Sequence, residues 1–237
     1  MSNGMSDRVL PFLMVLAMAA GGLFLPAISF SGEKAGSGFA ILAPGEGAVL
    51  PKGSVLVIGK AAGGGIANVE IDVNGRDKLS VPVRGGGFSA RVLLGPGRNV
   101  IRARAGKIAA TVSVSAGIKA GKGAYLYHAA VEKCAECHGP AGKGFAVAAP
   151  RDALCYRCHD RKDGGKLAHG PMGNGDCTAC HDPHGSTQKA LTVAREDSLC
   201  ISCHDQKSSE NHFRRSRGKA CTSCHDPHSS DKPFLQR

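Results

Sequence analysis

Between residues 134 and 225 the pattern Cys-x-x-Cys-His occurs five times: Cys134/Cys137/His138, Cys155/Cys158/His159, Cys177/Cys180/His181, Cys200/Cys203/His204 and Cys221/Cys224/His225. These motifs use all ten cysteines of the chain. Structural zinc sites and thioredoxin-like motifs also pair cysteines, but neither needs a histidine directly after every second one. Two thiols three positions apart can add to the two vinyl groups on one porphyrin edge. The next histidine is then held beneath the iron as its proximal ligand. The pattern therefore predicts five covalently bound haem c groups on the ten cysteines, with His138, His159, His181, His204 and His225 as proximal iron ligands. About twenty residues per haem are too few to wrap each cofactor in its own apolar pocket, so stacked porphyrins must serve as the core.

The formal charge of +11 first suggests nucleic acid or an anionic membrane surface. Haem propionates remove most of that argument, since five haems add roughly −5 to −10 charges. The basic residues also form no stripe interleaved with aromatics, as a strand-tracking surface would. Arg214, Arg215, Arg217 and Lys219 make the densest cluster, read as a solvated face or as partners for propionates.

Residues 9–30 carry no charge and follow Arg8. Leu10–Ala20 fits the apolar stretch of a secretory signal, with Ser29-Phe30-Ser31 as a tolerable cleavage site. The same segment is also long enough to span a bilayer. Residues 1–31 are thus a signal peptide or an N-terminal membrane anchor, and either places the rest of the chain in the periplasm or at the cell surface.

Residues 38–116 read as β-structure. Seven runs are expected to be strands, beginning at Phe39, Ser54, Asn68, Asp77, Gly87, Asn99 and Ala110. Val69, Ile71 and Val73 alternate with Glu70 and Asp72; Phe88, Ala90 and Val92 alternate with Ser89 and Arg91. Turn chemistry separates the runs at Asn74-Gly75, Gly85-Gly86-Gly87 and Gly95-Pro96-Gly97. Such spacing predicts a two-sheet sandwich, with Glu46, Glu70, Asp72 and Asp77 on solvated faces and turns. The stretch APGEGAVLPKGSVLVIGKA and the expected hairpin FSARVLLGPGRNVIRARA resemble the immunoglobulin-like modules of exported bacterial proteins. Residues 117–127 read as a glycine-rich linker.

An internal repeat appears beyond it. DALCYRCHD at 152 matches DSLCISCHD at 197, and CTACHDPH at 177 matches CTSCHDPH at 221. The repeat suggests a half unit at 128–150 followed by two-haem units at 151–190 and 196–237. The half unit has Ala141 where the others carry a trailing histidine. This arrangement resembles the doubled Cys-x-x-Cys-His multihaem cytochromes, and the resemblance implies bis-histidine, low-potential electron transfer. The fold class expected overall is multidomain: an all-β immunoglobulin-like sandwich, then a haem-packed, loop-rich region with short helices.

Five histidines remain: His128, His169, His184, His212 and His228. Five haems need five distal ligands, so the numbers close. His184 lies three residues after His181, about 4.5 Å along a helical turn, and cannot easily curl around its own haem. It is expected to serve the haem of Cys155/Cys158, and His228 that of Cys200/Cys203. His128, His169 and His212 would then serve the first, third and fifth motifs. Met172 or water is the competing sixth ligand.

The leading expectation is an exported pentahaem electron carrier, not an enzyme, with redox proteins as donors and acceptors. A small reductase with one open haem, most obviously that of the first motif, is the alternative. A third reading makes the haems a segment of a conductive assembly in which the sandwich supplies docking or self-assembly.

Overall fold

The computed structural model describes residues 38–63, 65–117, 123–139, 146–204, 210–216 and 218–237. The apolar segment 9–30, its cleavage site, Ala141, Arg217 and residues 118–122 of the expected linker lie outside the described residues. No helix among the described residues is long and apolar enough to cross a membrane.

All seven expected strands form, and a short eighth joins them. They are β1 (Phe39–Ala43), β2 (Val49–Leu50), β3 (Gly53–Ala61), β4 (Asn68–Val73), β5 (Arg76–Pro82), β6 (Gly87–Leu94), β7 (Gly97–Ala105) and β8 (Ile108–Ala116). One sheet has the order β1-β3-β6 and the other β2-β8-β7-β4-β5. Val57, Val69, Ile71, Ile101 and Val114 are buried between them, each contributing about 1.5–3 kcal/mol by leaving water. The β4–β5 hairpin closes on Asn74 and Gly75, with Val73 opposite Arg76. Both turn residues have positive φ, 56° and 76°, as a two-residue primed turn requires.

Two expectations fail within the sandwich. Asp72 is buried, not solvated; its Oδ1 accepts the Gly75 N–H at 2.8 Å, so it is consumed in stabilising the turn. The stretch 88–105 is also no hairpin. β6 pairs with β3 and β7 with β4 and β8, so Gly95-Pro96-Gly97 carries the chain from one sheet to the other. Buried Asn99 fastens that crossover: its Nδ2 donates to Gly95 O at 2.8 Å and Gly97 O at 3.0 Å, and its Oδ1 accepts from Asn74 Nδ2 at 3.2 Å. Alternation along a strand does not reveal which sheet the next strand joins.

The expected linker is partly structural. Tyr125 is buried in the sandwich core, and its N–H donates to Val49 O at 2.8 Å. Strand β9 (Leu126–Tyr127) follows, and the Tyr127 hydroxyl donates to Leu56 O at 2.6 Å. Burial pushes the Tyr127 phenol up to about 12, against the pull of nearby Arg91. Arg91 also pairs with Glu132, two residues before the first motif cysteine.

Beyond Tyr127 the elements shrink to helices α1 (Cys134–Cys137), α2 (Arg151–Cys155), α3 (Gly170–Gly173), α4 (Glu196–Ile201) and α5 (Glu210–Ser216). Strands β10 (Leu167–Ala168), β11 (Gly185–Ser186) and β12 (Ser229–Ser230) have two residues each. Among the described residues from 128 onward, only Gly185 and Ser186 are buried. The described side chains of this region build no apolar core of their own, and chains of that kind hold their shape around cofactors or cross-links.

Candidate haem-binding site

The motif cysteines sit on the shortest elements of the chain. Cys134 and Cys137 form the ends of α1, Cys155 ends α2, Cys200 lies in α4, and Cys177 and Cys221 open 3-10 turns. In each motif the histidine N–H donates to the carbonyl of the first cysteine, at 2.8–3.1 Å. That single turn sets the histidine beside its two sulfurs. Successive motifs also touch. Burial first, and then the neighbouring thiol of Cys177, push Cys155 up to about 11. Cys200 is raised in the same way beside Cys221. Thr222 N–H donates to Glu196 Oε1 at 2.6 Å, tying α4 to the fifth motif.

The ten attachment cysteines are not equally sheltered. Cys158, Cys203 and Cys224 are exposed, as is Cys134, whereas the other six are half-buried. The cause is local. Cys158 lies beyond the end of α2, Cys203 beyond the end of α4, and Cys224 just after the 3-10 turn Cys221–Ser223. Each is held only by the closing turn of its motif: Cys158 N–H donates to Cys155 O at 3.2 Å, Cys203 N–H to Cys200 O at 3.3 Å and Cys224 N–H to Cys221 O at 3.2 Å. No further element follows within the motif to cover them. In motifs two, four and five the first cysteine is thus the sheltered anchor and the second the outer one. An outer thiol is still reachable for thioether formation, so exposure changes where Cys158, Cys203 and Cys224 sit and not what they can attach.

All ten histidines meet in pairs. His138 faces His184 with ring centres 6.2 Å apart, His128 faces His159 at 6.0 Å, and His181 faces His228 at 6.1 Å. His169 faces His204 at 5.9 Å and His212 faces His225 at 5.7 Å. Every pair joins one motif histidine to one spare histidine. The structure thus brings together all ten predicted residues but redraws four of the five expected partnerships. His184 faces the first motif instead of the second, and His128 the second instead of the first. Likewise His228 faces the third motif instead of the fourth, and His169 the fourth instead of the third. Only His212 meets its expected partner.

Two small ladders cause the exchange. β9 pairs antiparallel with β11, Leu126 opposite Ser186 and Tyr127 opposite Gly185. His128 N–H then donates to His184 O at 3.2 Å. β10 pairs with β12 in the same way, Leu167 opposite Ser230 and Ala168 opposite Ser229, and His169 N–H donates to His228 O at 2.8 Å. Each ladder presents two spare histidines to two consecutive motifs: the first ladder to motifs one and two, the second to motifs three and four. The fifth motif has no ladder among the described residues; His212 is carried on α5.

Further contacts orient the rings. His181 Nδ1 lies 2.8 Å from Ala190 O, and His225 Nδ1 lies 2.8 Å from Phe234 O. A carbonyl can only accept, so Nδ1 carries the proton and Nε2 keeps its lone pair for a metal. The carbonyls are aimed by matching strained turns, with φ of 56° and 55° at Ala190 and Leu191 and the same values at Phe234 and Leu235. Residues with side chains seldom adopt such backbone, and it collects at functional sites. Asp182 Oδ1 accepts the His184 N–H at 2.8 Å and lies 3.4 Å from its Nδ1. Asp226 does the same for His228, at 2.9 and 3.7 Å. Burial would raise the Asp182 carboxyl, but its bonds to His184 prevail and hold it low. At His128 the contact runs the other way: Ala130 N–H donates to Nδ1 at 3.3 Å, so this ring is not oriented by a carbonyl or carboxylate acceptor as those four are. Desolvation, then the neighbouring imidazoles of His159 and His184, lower the pKa of His128. The aspartates and the turn carbonyls were not foreseen from the sequence; the aspartate signal was present in the twice-repeated His-Asp-Pro-His.

Residues 128–164, 169–209 and 212–237 match the family described as the doubled CXXCH motif. The C-terminal region belongs to the multihaem c-type cytochromes. Each matched segment opens on a spare histidine, His128, His169 or His212, and the last carries a single motif. Their phase differs from that of the units 128–150, 151–190 and 196–237 expected from the internal repeat. The sandwich is similar to fibronectin(III)-like modules of Clostridium thermocellum CbhA, at 14% identity over 33% of this chain and 94% of that one, with a TM-score of 0.29. No curated protein matches the sequence.

The doubled motifs of the cytochrome region imply covalently bound haem c, and its residues fit that group. An iron between two imidazoles needs two metal–nitrogen bonds of about 2 Å, plus about 1.1 Å from each nitrogen to its ring centre. The sum is about 6 Å, the separation found in all five pairs. Each pair has two thiols on the adjoining turn. No cluster of three or more His, Cys, Asp or Glu side chains that could hold a bare metal ion occurs among the described residues.

Proposed function

We propose that the protein is an exported five-haem electron carrier whose irons are each held between two imidazoles. Cys134/Cys137, Cys155/Cys158, Cys177/Cys180, Cys200/Cys203 and Cys221/Cys224 would fix the porphyrins. The axial pairs would be His138/His184, His159/His128, His181/His228, His204/His169 and His225/His212. Haem c held this way supplies a reversible one-electron iron couple. The protein's part is to fill both axial positions, to hold Nδ1 protons on carbonyl and carboxylate acceptors, and to limit rearrangement between oxidation states.

The observation that carries this reading is the fivefold closure of histidine pairs near 6 Å, with no histidine of the chain left over. Chemistry on a substrate at iron needs an open or exchangeable position, and the pairs offer none in the resting arrangement, which favours a carrier over an enzyme. Redox proteins on either side of the periplasm are the partners in this reading. Residues 9–30 would act as export signal or anchor, and the sandwich as spacer or docking module.

The test is haem stoichiometry by pyridine haemochrome, followed by near-infrared magnetic circular dichroism of the oxidised protein. Five haems, all low-spin with two nitrogen ligands, are expected. Fewer than five, or a methionine-ligand band from Met172, would overturn the assignment.

A further inference from the structure

Strand β9 belongs to two structures at once. Toward the sandwich, Ala124 bridges Val49 in parallel, and the Tyr125 N–H donates to Val49 O at 2.8 Å. Tyr125 is buried in the sandwich core, and its ring meets that of Tyr127 edge-on with centres 5.0 Å apart. The Tyr127 hydroxyl donates to Leu56 O at 2.6 Å, on the middle strand of the three-stranded sheet. Val131 packs on the same core, and Arg91 of β6 pairs with Glu132. Toward the cytochrome region, β9 holds β11, with Tyr127 opposite Gly185. Tyr125 backs directly onto Gly185, where an added Cβ would lie 2.8 Å from its ring. His128 comes one residue after Tyr127, and His184 one residue before Gly185. Both spare histidines of the first ladder therefore stand next to a residue in contact with this pair of tyrosines. The second ladder is held differently. The Ser229 hydroxyl donates to Lys162 O and accepts the Gly165 N–H, and the Lys166 N–H donates to Asp231 Oδ1. Leu167 and Ala168 of β10 are exposed, whereas Gly185 and Ser186 of β11 are buried.

We infer that the sandwich is the positioning wall of the first and second haem sites, with Tyr127 as the positioning residue through which it holds His128 and His184. The inference rests on the bis-histidine reading above and gives the sandwich a part beyond that of spacer or docking module. A pair of two-residue strands is too short to stand alone. The second ladder is braced from within its own region, and the first is braced from the sandwich as well. Loss of the sandwich grip frees β9 and loosens His128 and His184 together, while His169 and His228 keep their places.

The experiment is a denaturant titration of the reduced holoprotein under carbon monoxide. The haem spectrum reads gas uptake, and far-ultraviolet dichroism reads the sandwich. Haem count and axial ligation of the parent, measured first, judge the carrier reading alone; the shifts between parent and variants judge this inference. In the parent, two haems of the five should take up gas in the transition that unfolds the sandwich. Gly59→Ala crowds Phe88 inside the sandwich, and without denaturant its haem spectrum is that of the parent. Its sandwich midpoint and its two-haem uptake should move to lower denaturant together, with the other three haems unmoved. Tyr127→Phe keeps the ring and removes the bond to Leu56 O. At a fixed denaturant concentration below the transition it should speed gas uptake at two haems by about 5- to 150-fold. Tyr127→Phe with the gas kinetics of the parent overturns the inference. A lowered sandwich midpoint in Gly59→Ala with the two-haem uptake left in place overturns it too, as does uptake by all five haems in one transition. If Gly59→Ala leaves the sandwich midpoint where it was, Tyr127→Phe decides alone.

Discussion

Gly185 is where the sandwich and the cytochrome region press hardest on one another. A Cβ at this position would lie 2.6 Å from Leu126 O and 2.8 Å from both Cε1 and the hydroxyl of Tyr125. Leu126 is tied in the ladder and Tyr125 is buried in the sandwich core, so neither can retreat cheaply. The backbone φ of 154° adds a conformation that side chains disfavour. Overpacking costs about 1–3 kcal/mol and the backbone about 1–3 kcal/mol. Gly185→Ala should therefore weaken the β9–β11 ladder by about 2–6 kcal/mol, between about 30-fold and about 25,000-fold in the equilibrium that keeps it closed. His184 precedes the substituted residue and His128 is hydrogen-bonded to it, so two distal rings loosen together. Carbon monoxide titration of the reduced variant should show two newly reactive haems, those of the first and second motifs. Ser229 occupies the equivalent position in the second ladder and already carries a side chain, so a Cβ is accommodated there; Ser229→Ala would instead remove the hydroxyl that donates to Lys162 O at 2.6 Å and accepts the Gly165 N–H at 3.1 Å. A Gly185→Ala protein with its full haem complement and the parent's gas uptake would refute the claim that the ladder holds these ligands.

The redrawn pairing can be tested separately. In a Cys155→Ser/Cys158→Ser background that lacks the second haem, His184→Ala should still open one haem to carbon monoxide, because His184 faces His138. If His184 served the second motif, it would open none. Asp182→Ala should weaken the His184 ligand by about 10- to 100-fold, the usual cost of losing an outer partner, read as raised gas affinity at one haem. Asp226→Ala should do the same through His228. In the sandwich, a Cβ on Gly59 would sit 2.0 Å from Phe88 Cζ, a ring stacked on Phe39. Gly59→Ala should cost about 1–3 kcal/mol in denaturant unfolding followed by far-ultraviolet dichroism, with the haem spectrum unaltered; equal stability would show that Phe88 can move.

The amino-acid order discloses the sandwich because its strands carry the period of two and its turns carry Asn-Gly and Gly-Pro-Gly. It misleads where the signal is equally local but the outcome is set at a distance. Val92 and Val100 alternate as well in a crossover as in a hairpin, and only the pairing of β7 with β4 and β8 decides between them. Asp72 looks like any strand aspartate until the turn at Gly75 claims it. In the cytochrome region the motif residues are legible because covalent chemistry fixes their spacing. Their shelter is not, since Cys155 and Cys158 read alike in the sequence and only the end of α2 between them separates a half-buried thiol from an exposed one. The spare histidines are legible as a number, because five of the ten histidines follow a motif and five do not. Their partners are hidden. Leu126-Tyr127 and Gly185-Ser186 are too short to show any periodicity, yet their pairing carries His184 past the second motif to the first. The supporting carbonyls of Ala190 and Phe234 leave no compositional trace, since their role depends on backbone turned to positive φ.

The pairing also explains two irregularities that look unrelated in the sequence. Under it, the leading histidine of a unit serves that unit's second motif, and the trailing histidine serves the first motif of the unit before. No motif stands in residues 1–127, so a trailing histidine on the first unit would have no motif of this sequence to face; Ala141 stands at that position. The last matched segment, 212–237, carries one motif, and its leading histidine His212 faces the histidine of that motif, His225. With Ala141 at that one position, the ten histidines form five pairs. An inserted internal unit would bring two motifs, one leading and one trailing histidine, and would keep the balance at any length. A trailing histidine restored by Ala141→His would break it, leaving one imidazole that no motif of this chain can use.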